Sequence, residues 1–133
     1  MKTKHILTSD DVKKIAAAAE EHARTNNWAV VIAVVDDGGH LLHLHRMDDV
    51  APISAEIAAG KARTAALGRR ESRLYEESIK AGRVAFLSVP LTGLLEGGVP
   101  VVYEGQVIGA VGVSGVKSDQ DAEIAKAGIA AVA

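Results

Sequence analysis

Cysteine is absent from this chain of 133 residues, and aromatic residues are rare, with one Trp, two Tyr and one Phe. Without cysteine the chain has no disulfide, no thiolate metal site and no cysteine nucleophile. The longest uncharged apolar run covers only residues 28–35, far less than a membrane-spanning helix requires. The net charge of −2 and the lack of any basic run argue against nucleic acid as a partner.

Familiar enzyme motifs are missing as well: the chain contains no GxxxxGK[ST], GxSxG or HExxH sequence. The glycines of segment 109–115 are not spaced as in a dinucleotide-binding GxGxxG loop, and they lie in a predicted hairpin rather than a βαβ turn. The first seven residues include no apolar stretch of the kind that a signal peptide needs. We therefore expect a cytoplasmic protein.

The composition is that of a globular protein, with 48% hydrophobic and 24% charged residues, and the length fits a single domain over residues 1–133. Alanine is abundant where aromatic residues are few. This indicates close packing through small side chains and favours assembly into a homo-oligomer.

Hydrophobic periodicity predicts four helices and four strands. Thr8 and the acidic residues Asp10 and Asp11 are typical of a helix start, and Pro52 is well placed to begin the second helix. The predicted helices cover residues 8–26, 52–67, 72–80 and 118–129, and the predicted strands cover 28–35, 40–46, 99–103 and 106–113. Residues 83–97 show no clear pattern beyond a short apolar segment.

The predicted order of elements is α-β-β-α-α-β-β-α, with hairpin turns at 36–39 and 104–105. Segment 28–35 is apolar on both alternations, so we expect a strand that is buried on both faces. The pattern favours an α+β domain in which helices pack on an antiparallel sheet.

Glycines are concentrated in the second half of the chain, where Gly109 and Gly112 interrupt an otherwise apolar strand. Glycine inside a strand is typical of a bulge or of a close approach by another group. We predict that a ligand or a neighbouring subunit comes close to the backbone there.

Histidines are the first candidates for a metal site. His43 and His45 are two residues apart on a predicted strand, so both leave the same face and either hold a metal ion together or simply meet solvent. His22 lies in the last turn of the first helix, where it is either a partner of the helix dipole or an axial metal ligand.

Alternation along 40–46 defines two faces: Leu42, Leu44 and Arg46 on the inner one, and Leu41, His43 and His45 on the other.

Four further polar residues are candidates for ligand binding. Arg46, on the inner face of its strand, needs an anionic partner, which is either Asp36 or Asp48 of the chain itself or a ligand carboxylate. Lys61 has apolar neighbours in its helix, so it is either a desolvated cation or a surface lysine that extends to solvent. Ser114 either donates to a ligand or caps the following segment.

Five segments, taken in order, resemble the GlcG/HbpS family, also called the haem-degrading or DUF336 domain and found at the C-terminus of PduO-type proteins. The resemblance covers residues 8–131, and each motif is weak when taken alone. The segments are VVDDGGHLL (34–42) with RMD (46–48), KARTA (61–65), GGVPV (97–101), IGAVGVSG (108–115) and QD (120–121).

The resemblance implies a profilin-like or Roadblock-like arrangement and a homo-oligomer, commonly an octamer. It also implies haem as a possible cofactor, because some family members bind haem while others have no settled activity. For this chain it suggests His22 as an iron ligand, with Arg46, Lys61 and Ser114 as partners of the haem propionates.

Three functions follow as hypotheses. The first is an oligomeric binding protein for haem or another tetrapyrrole. The second is an enzyme or accessory protein for a small hydroxy- or oxo-carboxylate, in which Arg46 and Lys61 hold the carboxylate and Asp36 or Asp48 moves a proton. The third is an oligomeric scaffold without a ligand.

Overall fold

A computed structural model describes all 133 residues. Its elements follow the predicted order α-β-β-α-α-β-β-α, with one 3₁₀ helix added before the third strand. The helices are α1 (Ser9–Thr25), α2 (Ile53–Gly68), α3 (Arg73–Lys80), the 3₁₀ helix (Val84–Ser88) and α4 (Ser118–Ile129), and the strands are β1 (Val31–Asp36), β2 (Leu41–Arg46), β3 (Gly98–Tyr103) and β4 (Gln106–Ser114). No helix has the length and hydropathy that a bilayer span requires.

The four strands form one antiparallel sheet in the order β2-β1-β4-β3. β1 lies in the middle and, as predicted, is buried on both faces. Helices α1 and α4 cover one face, where Ile15, Ile32 and Ile124 lie in the larger core cluster. Helix α2 covers the other face through its alanines. The predicted α+β class, with helices packed on an antiparallel sheet, is confirmed.

Helix α1 begins with a capping box. The Oγ1 atom of Thr8 accepts a hydrogen bond from the amide of Asp11 at 3.2 Å, and Oδ2 of Asp11 accepts one from the amide of Thr8 at 2.9 Å. The bond from the Thr8 amide is the main reason why the pKa of Asp11 lies below its usual value. The start predicted at residues 8–11 is therefore confirmed, and its mechanism is reciprocal hydrogen bonding.

The predicted division of β2 into faces is wrong at its first two residues. The pairing of β1 with β2 shifts between Val34, which lies opposite His43, and Val35, which lies opposite Leu41. Leu42 is thus the extra residue of a bulge, and Leu41 joins the side of the sheet that faces α2. That side is not an inner face at β2, because β2 is an edge strand whose leucines are exposed.

The close contacts at Gly109 and Gly112 come from the chain itself. A Cβ atom at Gly112 would lie 2.1 Å from the carbonyl oxygen of Ala58, so the glycine allows α2 to rest directly on the sheet. A Cβ at Gly109 would lie 2.5 Å from the side chain of Leu7. The predicted close approach is present, and α2 and the N-terminal segment of the same chain make it.

Candidate functional site

The most unusual polar feature is a buried ion pair between Lys61 of α2 and Asp121 of α4. The side chains are 3% and 2% exposed, and Nζ of Lys61 lies 3.0 Å from Oδ2 of Asp121. Nζ also donates to the carbonyl oxygen of Val113 at 3.0 Å, and Oδ1 of Asp121 accepts from the amide of Val116 at 3.2 Å. Of the two interpretations of Lys61, the desolvated cation is therefore the correct one, and Lys61 is not a surface lysine.

Glycines shape the channel through which Lys61 reaches its partner. A Cβ atom at Gly97 would lie 2.8 Å from Nζ of Lys61, and one at Gly98 would lie 2.1 Å from the carbonyl oxygen of the same residue. Burial raises the pKa of Asp121, and the neighbouring Lys61 ammonium opposes that rise only in part. Because its ammonium group is used inside the chain, Lys61 does not present a free cation to solvent.

Arg46 and Ser114 lie at the same end of the sheet. Both are opposite Val31 in the register, on its two neighbouring strands, so the three side chains share the face toward α2. Two strand spacings, about 10 Å, separate the two backbones. Ser114 is buried, whereas Arg46 is exposed and is not among the residues that form ion pairs.

Asp36 lies at the opposite end of β1 and organises the hairpin turn. Its Oδ1 accepts hydrogen bonds from the amides of Gly38 and His40, each at 2.9 Å. Partial burial raises its pKa, but these two amides and the nearby His40 ring outweigh burial and leave the pKa below its usual value. Of the alternatives for Arg46, pairing with Asp36 is not formed, because the two residues lie at different ends of the sheet.

The three histidine candidates all lie on the α1 side of the sheet or on α1 itself. Nε2 of His22 lies 2.7 Å from Oε2 of Glu123, and the ring of Trp28 is 6.2 Å away. Nε2 of His45 lies 2.9 Å from a carboxylate oxygen of Glu20. His43 shares a face with His45, but no group of three His, Asp or Glu side chains is placed to hold a metal ion.

An apolar groove of about 360 Å³ lies between α3 and residues 87–95. We call it the α3 groove. Its apolar lining is formed by Ile79, Leu87, Leu91, Leu94 and Leu95, and its charged lining by Glu76 and Lys80. Leu87 and Leu95 are 65% and 44% exposed, which is unusual for leucine in a small domain.

A contact between glycines fixes the floor of the α3 groove. A Cβ atom at Gly93, whose φ is +95°, would lie 2.3 Å from the carbonyl carbon of Gly60 in α2. The loop that carries the leucines therefore rests on the helix backbone itself. Sequence reasoning missed the groove because 83–97 lacks a period, although four leucines in nine residues were a signal that this segment has apolar contacts to make.

A second, polar cleft of about 580 Å³ separates the N-terminal segment from the β3–β4 turn. Lys2, Lys4 and Arg69 line it together with Asp37. Nζ of Lys4 lies 2.6 Å from Oδ2 of Asp37, and Arg69 donates to the carbonyl oxygen of Asp37. Three cations against one carboxylate make this cleft suitable for a small anion.

Comparison with known proteins adds to this geometry. A family model described as "Haem degrading protein HbpS-like" matches residues 7–130. The chain belongs to the HbpS-like family. The resemblance read from the sequence motifs is thereby confirmed.

Relatives within the HbpS-like family include Protein GlcG of Escherichia coli K12, which is 63% identical over 114 residues, covering 86% of this chain and 85% of that protein. The crystal structure of Klebsiella pneumoniae protein ORFY matches with a TM-score of 0.89 and 32% identity over 98% of this chain and 94% of that one. The crystal structure named as a PduOC:Heme complex matches with a TM-score of 0.86 and 28% identity over 96% of both chains.

Proposed function

We propose that this HbpS-like chain is a small-molecule-binding protein whose ligand is haem or another tetrapyrrole. The likeness to a domain solved as a haem complex, over 96% of both chains, carries the proposal. The description of the matching family model points to the same ligand. Within this chain, the α3 groove supports it, because small-molecule sites are concave and largely apolar.

The lining of the α3 groove suits the apolar ring of haem better than it suits the iron. Its leucines suit the apolar ring, whereas Lys80, the cation of its lining, already pairs with Glu76 at 3.2 Å. Its lining includes no His, Cys, Met or Tyr to ligate the iron, and His22, His43 and His45 lie elsewhere. Haem, if bound, would supply redox chemistry through its iron, and the groove residues would supply binding and shielding from water.

Titration of the purified protein with hemin, followed by the Soret band, tests the proposal. We expect saturable binding, and an affinity at least tenfold weaker in the double variant Leu87→Glu/Leu95→Glu. Leu67→Glu is the matched control, because Leu67 is 40% exposed but lies outside the groove. A wild-type protein that gives only a weak, unsaturable spectral change would overturn the proposal.

The polar cleft between the N-terminal segment and the β3–β4 turn supports a second candidate function, the binding of a small hydroxy- or oxo-carboxylate. Arg46 and Lys61 were the residues expected to hold this carboxylate, but Lys61 is enclosed and paired. Lys2, Lys4 and Arg69 are exposed cations instead, of which Lys4 pairs with Asp37. Thermal-shift measurements with glycolate, glyoxylate and lactate test it, since a ligand of the native state raises apparent stability. No shift at millimolar ligand would contradict it.

Self-association is part of the proposal. Leu41, Leu42 and Leu44 of the edge strand and Ile53 of α2 are exposed, which favours contact with a second copy of the chain. We expect a homo-oligomer, with an octamer as the first candidate. Light scattering coupled to size-exclusion chromatography measures the subunit number, and a monomer at micromolar concentration would contradict this expectation.

A further inference from the structure

Two arginines converge on one aromatic ring beside the α3 groove. The guanidinium carbon of Arg83 lies 4.6 Å from the ring centroid of Phe86, and that of Arg70 lies 5.9 Å from the same centroid. Arg70 also lies 4.3 Å from the ring centroid of Tyr75, which meets Phe86 edge-on at 5.3 Å. We call Arg70 and Arg83 the arginine pair.

The arginine pair has no anionic partner within the chain. Arg24 and Arg73 form ion pairs with glutamates, whereas Arg70 and Arg83 do not. The faces of aromatic rings attract each guanidinium group only modestly, so neither charge is compensated within the chain. A bound dianion would supply the missing negative charge and satisfy the forked donors of both groups.

The position of the pair connects it with the groove. Phe86 directly precedes Leu87, a groove residue, along the 3₁₀ helix. Tyr75 and Ile79 are four residues apart in α3, so they lie on the same face, and Ile79 also lines the groove. The rings that the two cations contact are thus carried by the same two helices as Ile79 and Leu87 of the groove.

We propose that the arginine pair binds the acidic groups of a ligand whose apolar body lies in the α3 groove. The ligand is a planar apolar molecule with two carboxylates, the chemical class to which dicarboxylate porphyrins belong. This inference rests on the proposed function and adds to it the residues that recognise the carboxylates, in place of Lys61.

Metal-free protoporphyrin IX separates carboxylate recognition from iron ligation. Its binding to wild type, to Arg83→Met and to Arg70→Met/Arg83→Met is followed by porphyrin fluorescence in a fixed low concentration of detergent. The matched control is Arg63→Met, which removes another exposed arginine without an ion pair. The dimethyl ester of the same porphyrin, which lacks both negative charges, is titrated in parallel.

We expect the double variant to bind the free acid at least tenfold more weakly than wild type, and the ester equally well. Because Arg83 is exposed, the single variant Arg83→Met should keep its fold. We expect it to bind the free acid several-fold more weakly than wild type. If wild type and the double variant bind the free acid equally, the arginine pair does not bind the acidic groups of the ligand. The proposed function then still stands. If wild type binds neither porphyrin, the arginine pair is overturned as a carboxylate site, while the proposed function is decided by the hemin titration, in which the iron is present.

Discussion

Lys61 and Asp121 lie sixty residues apart in sequence, yet their charged atoms meet at 3.0 Å inside the protein. The pair links α2, on one face of the sheet, to the start of α4, on the other face. It lies at the end of the sheet where β4 ends. Because both charges have lost their hydration, each depends on the other for compensation.

Lys61→Met should therefore destabilise the protein strongly. The variant keeps most of the side-chain volume but leaves Asp121 buried without a counter-charge, and such a loss costs about 3–5 kcal/mol. Urea unfolding at pH 7 measures it. Lys126→Met is the control, since Lys126 pairs with Glu71 at the surface and such pairs contribute about 1 kcal/mol or less. Equal effects of the two substitutions would contradict the prediction.

The pH dependence of Lys61→Met follows from the raised pKa of Asp121. A carboxyl group whose folded pKa exceeds its unfolded value of about 3.9 favours folding most at low pH. That contribution falls as the pH rises through the folded pKa, and removal of Lys61 should raise this pKa further. We therefore expect the stability difference between wild type and Lys61→Met to widen from pH 4 to pH 8. A difference that does not change with pH would count against a buried carboxylate at this site.

Asp11 should behave in the opposite way. The capping hydrogen bond from Thr8 lowers its pKa, so its stabilising contribution is complete above the unfolded pKa and is lost as the pH falls through the folded value. The stability lost in Asp11→Asn should be constant above about pH 5 and should shrink below about pH 4. Unfolding curves at a series of pH values measure this. A loss that persists unchanged at pH 2 would show that the charge is irrelevant.

Gly112→Ala should displace α2 from the sheet. The added methyl group would lie 2.1 Å from the Ala58 oxygen and 2.5 Å from the Ala62 nitrogen, and neither backbone atom can yield without moving the helix. Overpacking of this kind costs about 1–3 kcal/mol or more. Gly38→Ala is the comparison, because its methyl group would meet only side-chain atoms, at 3.1 Å or more. Thermal unfolding that ranks Gly38→Ala as the more damaging change would contradict the close packing.

His22 can be tested as an iron ligand directly. Its Nε2 atom already contacts Glu123, so iron ligation through that atom requires the carboxylate to move. Because His22 lies outside the α3 groove, we expect His22→Ala and Glu123→Gln to leave the Soret band of the hemin complex unchanged, whereas a shifted band in His22→Ala would identify His22 as the ligand. His43→Ala and His45→Ala serve as parallel variants. An unchanged spectrum in His22→Ala would exclude His22 as the ligand.

The fold was predictable because its signals are local. Caps such as Thr8 with Asp11, and the doubly apolar segment of β1, identify elements without knowledge of their neighbours. The bulge at Leu42 was not predictable, because it depends on how β1 and β2 pair and has no mark in the sequence of β2 alone.

The candidate site was harder to predict because its contacts join distant segments. Lys61 appeared as a lone cation in α2, and its partner became evident only when α4 was placed beside it. The sequence does not distinguish Arg70 and Arg83 from other arginines, because their shared feature is contact with one aromatic ring in the folded chain. The residues that the resemblance indicated lie on both sides of the sheet, with Arg46, Ser114 and Lys61 on the α2 side and His22 in α1 on the other.

The direct contact of Gly93 with Gly60 has a consequence for how this family can diversify. The loop bearing Leu91, Leu94 and Leu95 is held by main chain against main chain, so its position does not depend on which side chains it carries. Substitutions at the leucines would change the shape and polarity of the opening while the scaffold beneath stays in place. Substitution of these leucines in this chain should thus change which ligand the opening accepts and leave the fold intact.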